Sequence, residues 1–508
     1  MSEMKNVDVI IIRPMSHSWD TESYMRMITI PHGPLALAAG LIKNNFNVEI
    51  IDEVCLTTEV SNQKLKELIV NNEIICVGIT TMTGAQIRRG RDFSKIIRDI
   101  DSDIPIVWGG AHPSIVPEST LEDEFVDFVI MADGDESFPV LVNKIKLKEK
   151  DMTDVPGLCY IDILGQMTKT KPATTIDLNH TPPLPYHLLD MEKYITSVQK
   201  KGITRYFEVN SSRGCPFTCS FCYNSKSGSR YIKKDAESVM DDIALIIKEH
   251  KIDGLGFSDE NFIMNKQRII DLAEVALEKN IKLKIRSGGR VELFNRFDHE
   301  TLLLLKKAGF YHFGFGVESG SEKTLVKMNK AITLKQIHAT IDTINKYGFM
   351  ATYNFLAGIP GEDEKEFKKT LELIYYIFKN SKHIIYPIAG PAFYTPFPGT
   401  INFDEAVLLG HKPPTTFEGW QHIDYVTEDL NWIPKKLRDF IVKSRNIVNE
   451  INQKFTGEDA VITDADLQPL KALFDDGDDF KKSDVIPTKF IVNEQLKVHQ
   501  LKSYYGPD

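Results

Sequence analysis

Residues 210–224 read NSSRGCPFTCSFCYN, which puts Cys215, Cys219 and Cys222 within eight residues, with gaps of three and then two. They follow an apolar run, Tyr206 to Asn210, that reads as a β-strand, so the cysteines sit in the loop at its carboxyl end. The same rhythm continues downstream. Strand-like runs at Gly254 to Ser258, Lys282 to Ser287, His312 to Glu318, Ala351 to Ala357 and Ile384 to Ile388 are separated by amphipathic helical stretches. Six successive βα units predict a partial or complete parallel barrel over residues 201–405, with its chemistry at the carboxyl ends of the strands.

Upstream, residues 1–150 show the same alternation. Runs at Val7 to Ile12, Val48 to Asp52, Ile75 to Thr80, Ile106 to Trp108 and Phe128 to Met131 predict an open, doubly wound domain. Residues 151–200 carry Pro156, Pro172, Pro182, Pro183 and Pro185 and read as an irregular linker. Beyond 405 the rhythm stops. A helix from Pro434 to Lys454 and an acidic patch, Asp475 to Asp479, predict a small, mostly helical C-terminal domain over residues 406–508, packed on the barrel mouth. The fold class is α/β.

Composition narrows the function. The chain has 508 residues, 42% hydrophobic and 26% charged, which suits a globular protein of about three domains. Its formal charge is 61 minus 71, or -10, with no long basic run, which disfavours nucleic acid as the partner. The sequence shows no apolar stretch of the roughly 20 residues a membrane span needs, and its start lacks the features of a secretory signal. A cytoplasmic protein is expected.

The other three cysteines, Cys55, Cys76 and Cys159, are scattered. Three thiols in one short loop indicate metal. A structural zinc site takes a fourth Cys or His, normally from a second pair motif, and none follows here. An iron-sulfur cluster held by three cysteines keeps one iron open to an external ligand. The three-two spacing, with the aromatic Phe221 before the last cysteine, resembles the motif of the radical S-adenosylmethionine (AdoMet) superfamily. That resemblance implies that Cys215, Cys219 and Cys222 hold a [4Fe-4S] cluster whose open iron takes AdoMet. It also implies an electron donor, a flavodoxin or a ferredoxin, and anaerobic chemistry.

The resemblance covers about 200 residues, as far as YTPFPGT at Tyr394 to Thr400. It implies that Asp259 and Glu260, in GFSDENF, meet the AdoMet amino group, the alternative for Asp259 being a helix cap. Arg290 is expected to pair with the AdoMet carboxylate, the alternative being a surface arginine. Glu318 and Ser319, in GFGVESGSE, are expected at the ribose or amino acid part. Gly358 and Gly361, in FLAGIPGE, allow close backbone approach, as to an adenine.

The first domain has no GxGxxG opening its first helix, so a dinucleotide site is disfavoured. Its carboxyl-end loops are TTMTG (80–84), GGAHPS (109–114) and ADGDES (132–137). They resemble the cobalamin-binding domain that precedes many radical AdoMet barrels, the class that includes the anaerobic magnesium-protoporphyrin ester cyclase. Thr80, Thr81, Thr83, Gly109, Gly110, His112, Gly134 and Glu136 are the implied cobalamin contacts. The DxHxxG motif that supplies a cobalt-ligating histidine elsewhere is absent, so His112 reads more readily as a loop cap than as a cobalt ligand. Methylthiotransferases carry three further cluster cysteines in their added domain, whereas this one has only Cys55 and Cys76, better read as small buried hydrophobes.

Together these features imply a cobalamin-dependent radical AdoMet enzyme acting on a small molecule, most simply by methylating an unactivated carbon. The alternative is cyclisation, oxidation or rearrangement without methyl transfer. A zinc-stabilised binding protein without turnover is the reading from a different class. Aromatic residues Tyr386, Phe393, Tyr394, Phe397, Phe417, Trp420 and Tyr425 are candidates for a pocket wall, with ordinary core packing as the alternative.

Overall fold

A computed structural model describes residues 6–15, 28–198, 202–226, 230–381, 388–423, 430–454 and 462–475. The first sheet contains β1 (Val9–Arg13), β2 (Val48–Asp52), β3 (Cys76–Thr80), β4 (Ile106–Gly109), β5 (Phe128–Ile130), β6 (Leu158–Ile161) and β7 (Met167–Lys169). Its order is β2-β1-β3-β4-β5-β6-β7, with the first five strands parallel and the last two antiparallel. β1 reads VIIIR and is buried along nearly its whole length, as a central parallel strand covered on both faces must be. The order reverses between β1 and β3, which opens a crevice at their carboxyl ends. One expectation is corrected here. The first sheet continues through the β6–β7 hairpin, so residues 151–170 belong to this domain rather than to a linker.

The second sheet begins with β8 (Thr196–Val198). Its parallel strands are β9 (Ile203–Val209), β12 (Gly254–Phe257), β13 (Lys284–Gly289), β14 (Phe310–Glu318), β15 (Met350–Ala357) and β16 (Ile388–Phe393). Between β9 and β12 lies a short antiparallel pair, β10 (Ser212–Arg213) and β11 (Ile232–Lys233). The order β16-β15-β14-β13-β12-β9-β8 gives six parallel strands with an antiparallel β8 at the edge, so the barrel is partial.

Along β14, Phe313, Phe315 and Val317 are fully buried, while Gly314 and Gly316 alternate with them on the other face. Phe294 meets Phe313 and Phe315 edge-on, fixing the first set as the helix-facing side. The helix Leu334–Tyr347 begins with a Thr333/Gln336 capping box and ends at Gly348 in the left-handed region. The sixth strand lies at 388–393. The expected strand at Ile384 to Ile388 falls largely outside the described residues, and YTPFPGT follows the sixth strand as a loop.

The expected separate C-terminal domain is also corrected. The helix Lys435–Lys454 packs Leu437, Ile441 and Val448 into the barrel core, while Phe403, Phe417 and Trp420 join the core of the first domain. The chain past 400 is therefore divided between the two cores. Tyr394, Phe417 and Trp420 are core residues, and Tyr386, Tyr425 and the acidic patch beyond Asp475 lie outside the described residues. No helix among the described residues is long and apolar enough to cross a membrane.

Candidate active site

The cysteine loop is held from both sides. At the end of β12, Asp259 accepts from the Ser211 amide at 2.7 Å, from the Ser212 amide, and from both serine hydroxyls. Arg268 donates to the Ser211 carbonyl at 2.8 Å, and Glu260 accepts from the Gly214 amide at 3.2 Å. From the opposite side, Ser220 donates to the carbonyls of Met328 and Lys327, and Asn329 donates to the Thr218 carbonyl. These contacts correct the expectation for Asp259: its oxygens hold the loop rather than face a ligand.

Burial pushes the Cys215 and Cys222 thiols up, and Cys219 adds to the rise in both, so the three lie within electrostatic reach of one another. Lys330 opposes that rise at both thiols, and Arg290 at Cys215. Lys330 stands 5.7 Å from the Phe221 ring. Among the described residues, no group of three His, Cys, Asp or Glu side chains converges on a single-ion position.

Arg290 is only 6% exposed. Its Nη1 donates to Cys219 Sγ at 3.3 Å, its other nitrogens bond Glu292 and the Lys330 carbonyl, and its guanidinium lies 3.8 Å over the Phe217 ring. It is neither a surface arginine nor a free clamp for a carboxylate.

Glu318 has φ +71°, a costly conformation for a residue with a side chain, and Lys330 donates to its Oε1 at 2.8 Å. Ser319 is spent on Thr370 at 3.0 Å. Gly358 is sealed, since Trp432 donates to its carbonyl at 2.9 Å and an added Cβ would meet Ile433 at 2.3 Å. Gly361 lies beside Lys327. Of the implied AdoMet contacts, Ser319 and Gly358 are committed within the protein and Glu318 is paired with Lys330, while Glu260 accepts from the Gly214 amide at the edge of a cavity.

The two domains share a cavity of about 240 Å³. Its walls include Thr80, Gly109, Gly110 and Gly134 from the first domain and Asn210, Arg213 and Glu260 from the barrel. Arg213 and Asp135 bridge the domains with two parallel bonds of 2.9 and 3.0 Å. Gly110 has φ +95°, and an added Cβ would come within 2.6 Å of Thr80 Oγ1. Partial burial raises Glu260, with Asp259 and Asp133 adding to the rise.

The other implied cobalamin contacts lie elsewhere. His112 is fully buried outside the cavity, bonded to Thr83 at 2.9 Å and packed against Phe417 and Trp420, and burial lowers its pKa to about 3. His112 and Thr83 thus bond each other and neither lines the cavity, while His112 Nε2 is buried without a partner. Thr81 is buried beneath the wall, and Glu136 faces a neighbouring groove, where Thr174 donates to it.

Sequence reasoning missed four residues. His32 lines the cavity with both ring nitrogens unpartnered, and burial, then Arg213 and Arg13, lower it to about 3. Its place at the first position of the first helix of a doubly wound domain was the available signal. Arg213 stood in the quoted stretch, but its partner Asp135 lies 78 residues away. Lys330 gave no local signal. Glu362 is 4% exposed, with one oxygen accepting from the Gly358 amide at 2.7 Å and the other unpartnered, and burial raises it to about 8.

Comparison with known proteins agrees with this geometry. Residues 209–374 match the Radical SAM superfamily model and residues 25–142 the B12 binding domain model. The chain is 28% identical over 464 residues to an uncharacterized methyltransferase of Pyrococcus horikoshii, covering 88% of this chain and 95% of that protein. It is also 28% identical over 411 residues to the anaerobic magnesium-protoporphyrin IX monomethyl ester cyclase of Rubrivivax gelatinosus, covering 80% and 70%. In fold it is similar to the radical AdoMet methyltransferase TsrM of Kitasatospora setae, solved with cobalamin and a [4Fe-4S] cluster, at TM-score 0.62 and 18% identity over 80% of this chain and 76% of that one. The cysteine loop behind the first barrel strand, the cavity shared with a doubly wound domain and both family matches lead to one assignment: this chain is a radical SAM enzyme with a B12-binding domain ahead of its barrel.

Proposed function

We propose that this cobalamin-dependent radical SAM enzyme methylates an unactivated carbon of a small-molecule substrate. The observation that carries this reading is the shared cavity, because it opens the corrin domain directly onto the base of the cysteine loop. A methyltransferase among the similar proteins supports it.

The residues present fit the cofactors. Cys215, Cys219 and Cys222 would hold the cluster, each on its own iron, so the thiols need not meet at one point. Glu260 and Glu318 would face AdoMet. Thr80, Gly109, Gly110 and Gly134 would line the corrin site, where small residues let a large ligand approach the backbone. When bound, these groups supply the electron that splits AdoMet and the methyl group that is transferred.

The chain itself contributes positioning. Asp259 stiffens the cysteine loop, Lys330 compensates the charge of buried Glu318, and the Arg213–Asp135 pair clamps the domains and limits water between them. A flavodoxin or ferredoxin would bring the electron.

The test is anaerobic incubation of the reconstituted protein with trideuteromethyl-AdoMet, a reductant and a metabolite extract of the source organism. The expected result is 5'-deoxyadenosine together with a metabolite that gains the labelled methyl group. A second reading, cyclisation, draws on the similarity to the ester cyclase. It gives 5'-deoxyadenosine and a product that loses hydrogen without gaining label, which would overturn methyl transfer.

A further inference from the structure

We propose that Arg290, by its contact with Cys219, sets the reduction potential of the cluster, with Glu292 as its counterweight. The inference rests on the reading that the three cysteines hold an iron-sulfur cluster.

Four observations carry it. The arginine comes from the loop after β13, 71 residues from the cysteine it touches, and Nη1 reaches Cys219 Sγ at 3.3 Å. Both residues are 6% exposed, so water screens their interaction weakly. The guanidinium is fixed by the Lys330 carbonyl and by the Phe217 ring at 3.8 Å, which leaves little freedom to turn away. Glu292 bonds Nε through one oxygen, while its other oxygen is buried without a partner. That carboxylate is therefore committed to a single cation and opposes its charge.

The redox step is one electron added to the oxidised cluster, without bond rearrangement in the protein. The added electron makes the cluster more negative. A hydrogen bond to a ligating sulfur and a nearby positive charge both favour that state, so they raise the potential. Removing the guanidinium must lower it. Removing the opposing Glu292 charge must raise it. A role confined to folding gives no reason for opposite signs.

The experiment is a redox titration of the full-length, anaerobically reconstituted protein, without substrate, followed by the electron paramagnetic resonance of the reduced cluster. At the wild-type midpoint, Arg290→Gln is expected to lower the reduced-to-oxidised ratio about tenfold, equivalent to about 59 mV for one electron. Glu292→Gln is expected to raise the ratio. Arg290→Lys should fall between wild type and Arg290→Gln. Should Arg290→Gln fail to fold, Arg290→Lys and Glu292→Gln still carry the test in opposite directions. A cluster that forms normally and keeps its potential in the variants, or moves the same way in all of them, overturns the inference alone. A wild-type protein that binds no iron overturns the cysteine reading, and the inference with it.

Discussion

The carboxyl edges of the two sheets were built from similar material, yet they are finished differently. In the barrel, the polar groups are largely committed within the protein: Asp259 to Ser211 and Ser212, Ser319 to Thr370, Arg290 to Cys219 and Glu292. In the first domain, the edge is glycine-lined, and His32 faces the cavity with both ring nitrogens unpartnered. Its second wall comes from the barrel, through Asn210, Arg213 and Glu260. The barrel edge is preorganised, while the first edge is completed only by docking.

That contrast can be broken most strongly at the cysteines. Cys219→Ala is expected to abolish cluster binding and 5'-deoxyadenosine formation while leaving corrin retention intact, checked by iron, sulfide and cobalt content. Loss of corrin along with iron would show that the edges are not independent.

Glu362 tests how firmly the barrel edge is closed. Burial raises its pKa to about 8, so the native state binds a proton that the unfolded state releases at a lower pH. Stability is therefore greatest below the ordinary carboxylate value and is lost as pH rises toward about 8, by an amount on the order of a few kcal/mol. Glu362→Gln should flatten that slope, measured by denaturant unfolding between pH 5 and 8, taken as a practical range of about three units.

On the first domain's edge, Gly110→Ala places a Cβ against Thr80 in a left-handed backbone position. The expected cost is roughly 1–3 kcal/mol of stability together with weakened corrin retention, checked by thermal unfolding and cobalt content. Unchanged corrin binding would remove this wall from the site.

The smallest effect is expected at the joint. Asp135→Asn removes one charge of the bidentate pair with Arg213, a pair that is partly exposed. Corrin affinity should fall about tenfold, or about 1.4 kcal/mol, with iron content unchanged, measured by equilibrium dialysis. A parallel loss of iron would mean that the pair also supports the cysteine loop.

Much of the fold was legible because its signals are local. The period-two and helical patterns that mark each βα unit lie within about a dozen residues, and the three thiols lie within eight. The misreadings share a different cause. Asp259 and Arg290 were assigned to AdoMet from their places at strand ends, but Ser211 is 48 residues from Asp259 and Cys219 is 71 from Arg290. For His112 the loop favours a cap over a cobalt ligand, and what the loop could not show is its enclosure by Phe417 and Trp420, some three hundred residues downstream. The β6–β7 hairpin was hidden by prolines around short strands at the sheet's edge, where burial imposes little pattern.

By itself, then, the sequence determined two βα domains, a three-thiol loop behind the first barrel strand and glycine-rich loops at the other domain's strand ends. Spacing along the chain encodes these features directly. Tertiary structure alone decided which polar groups remain available to a ligand. A carboxylate or guanidinium taken out of water must find a partner, and in this protein the partner usually comes from a distant strand or from the other domain.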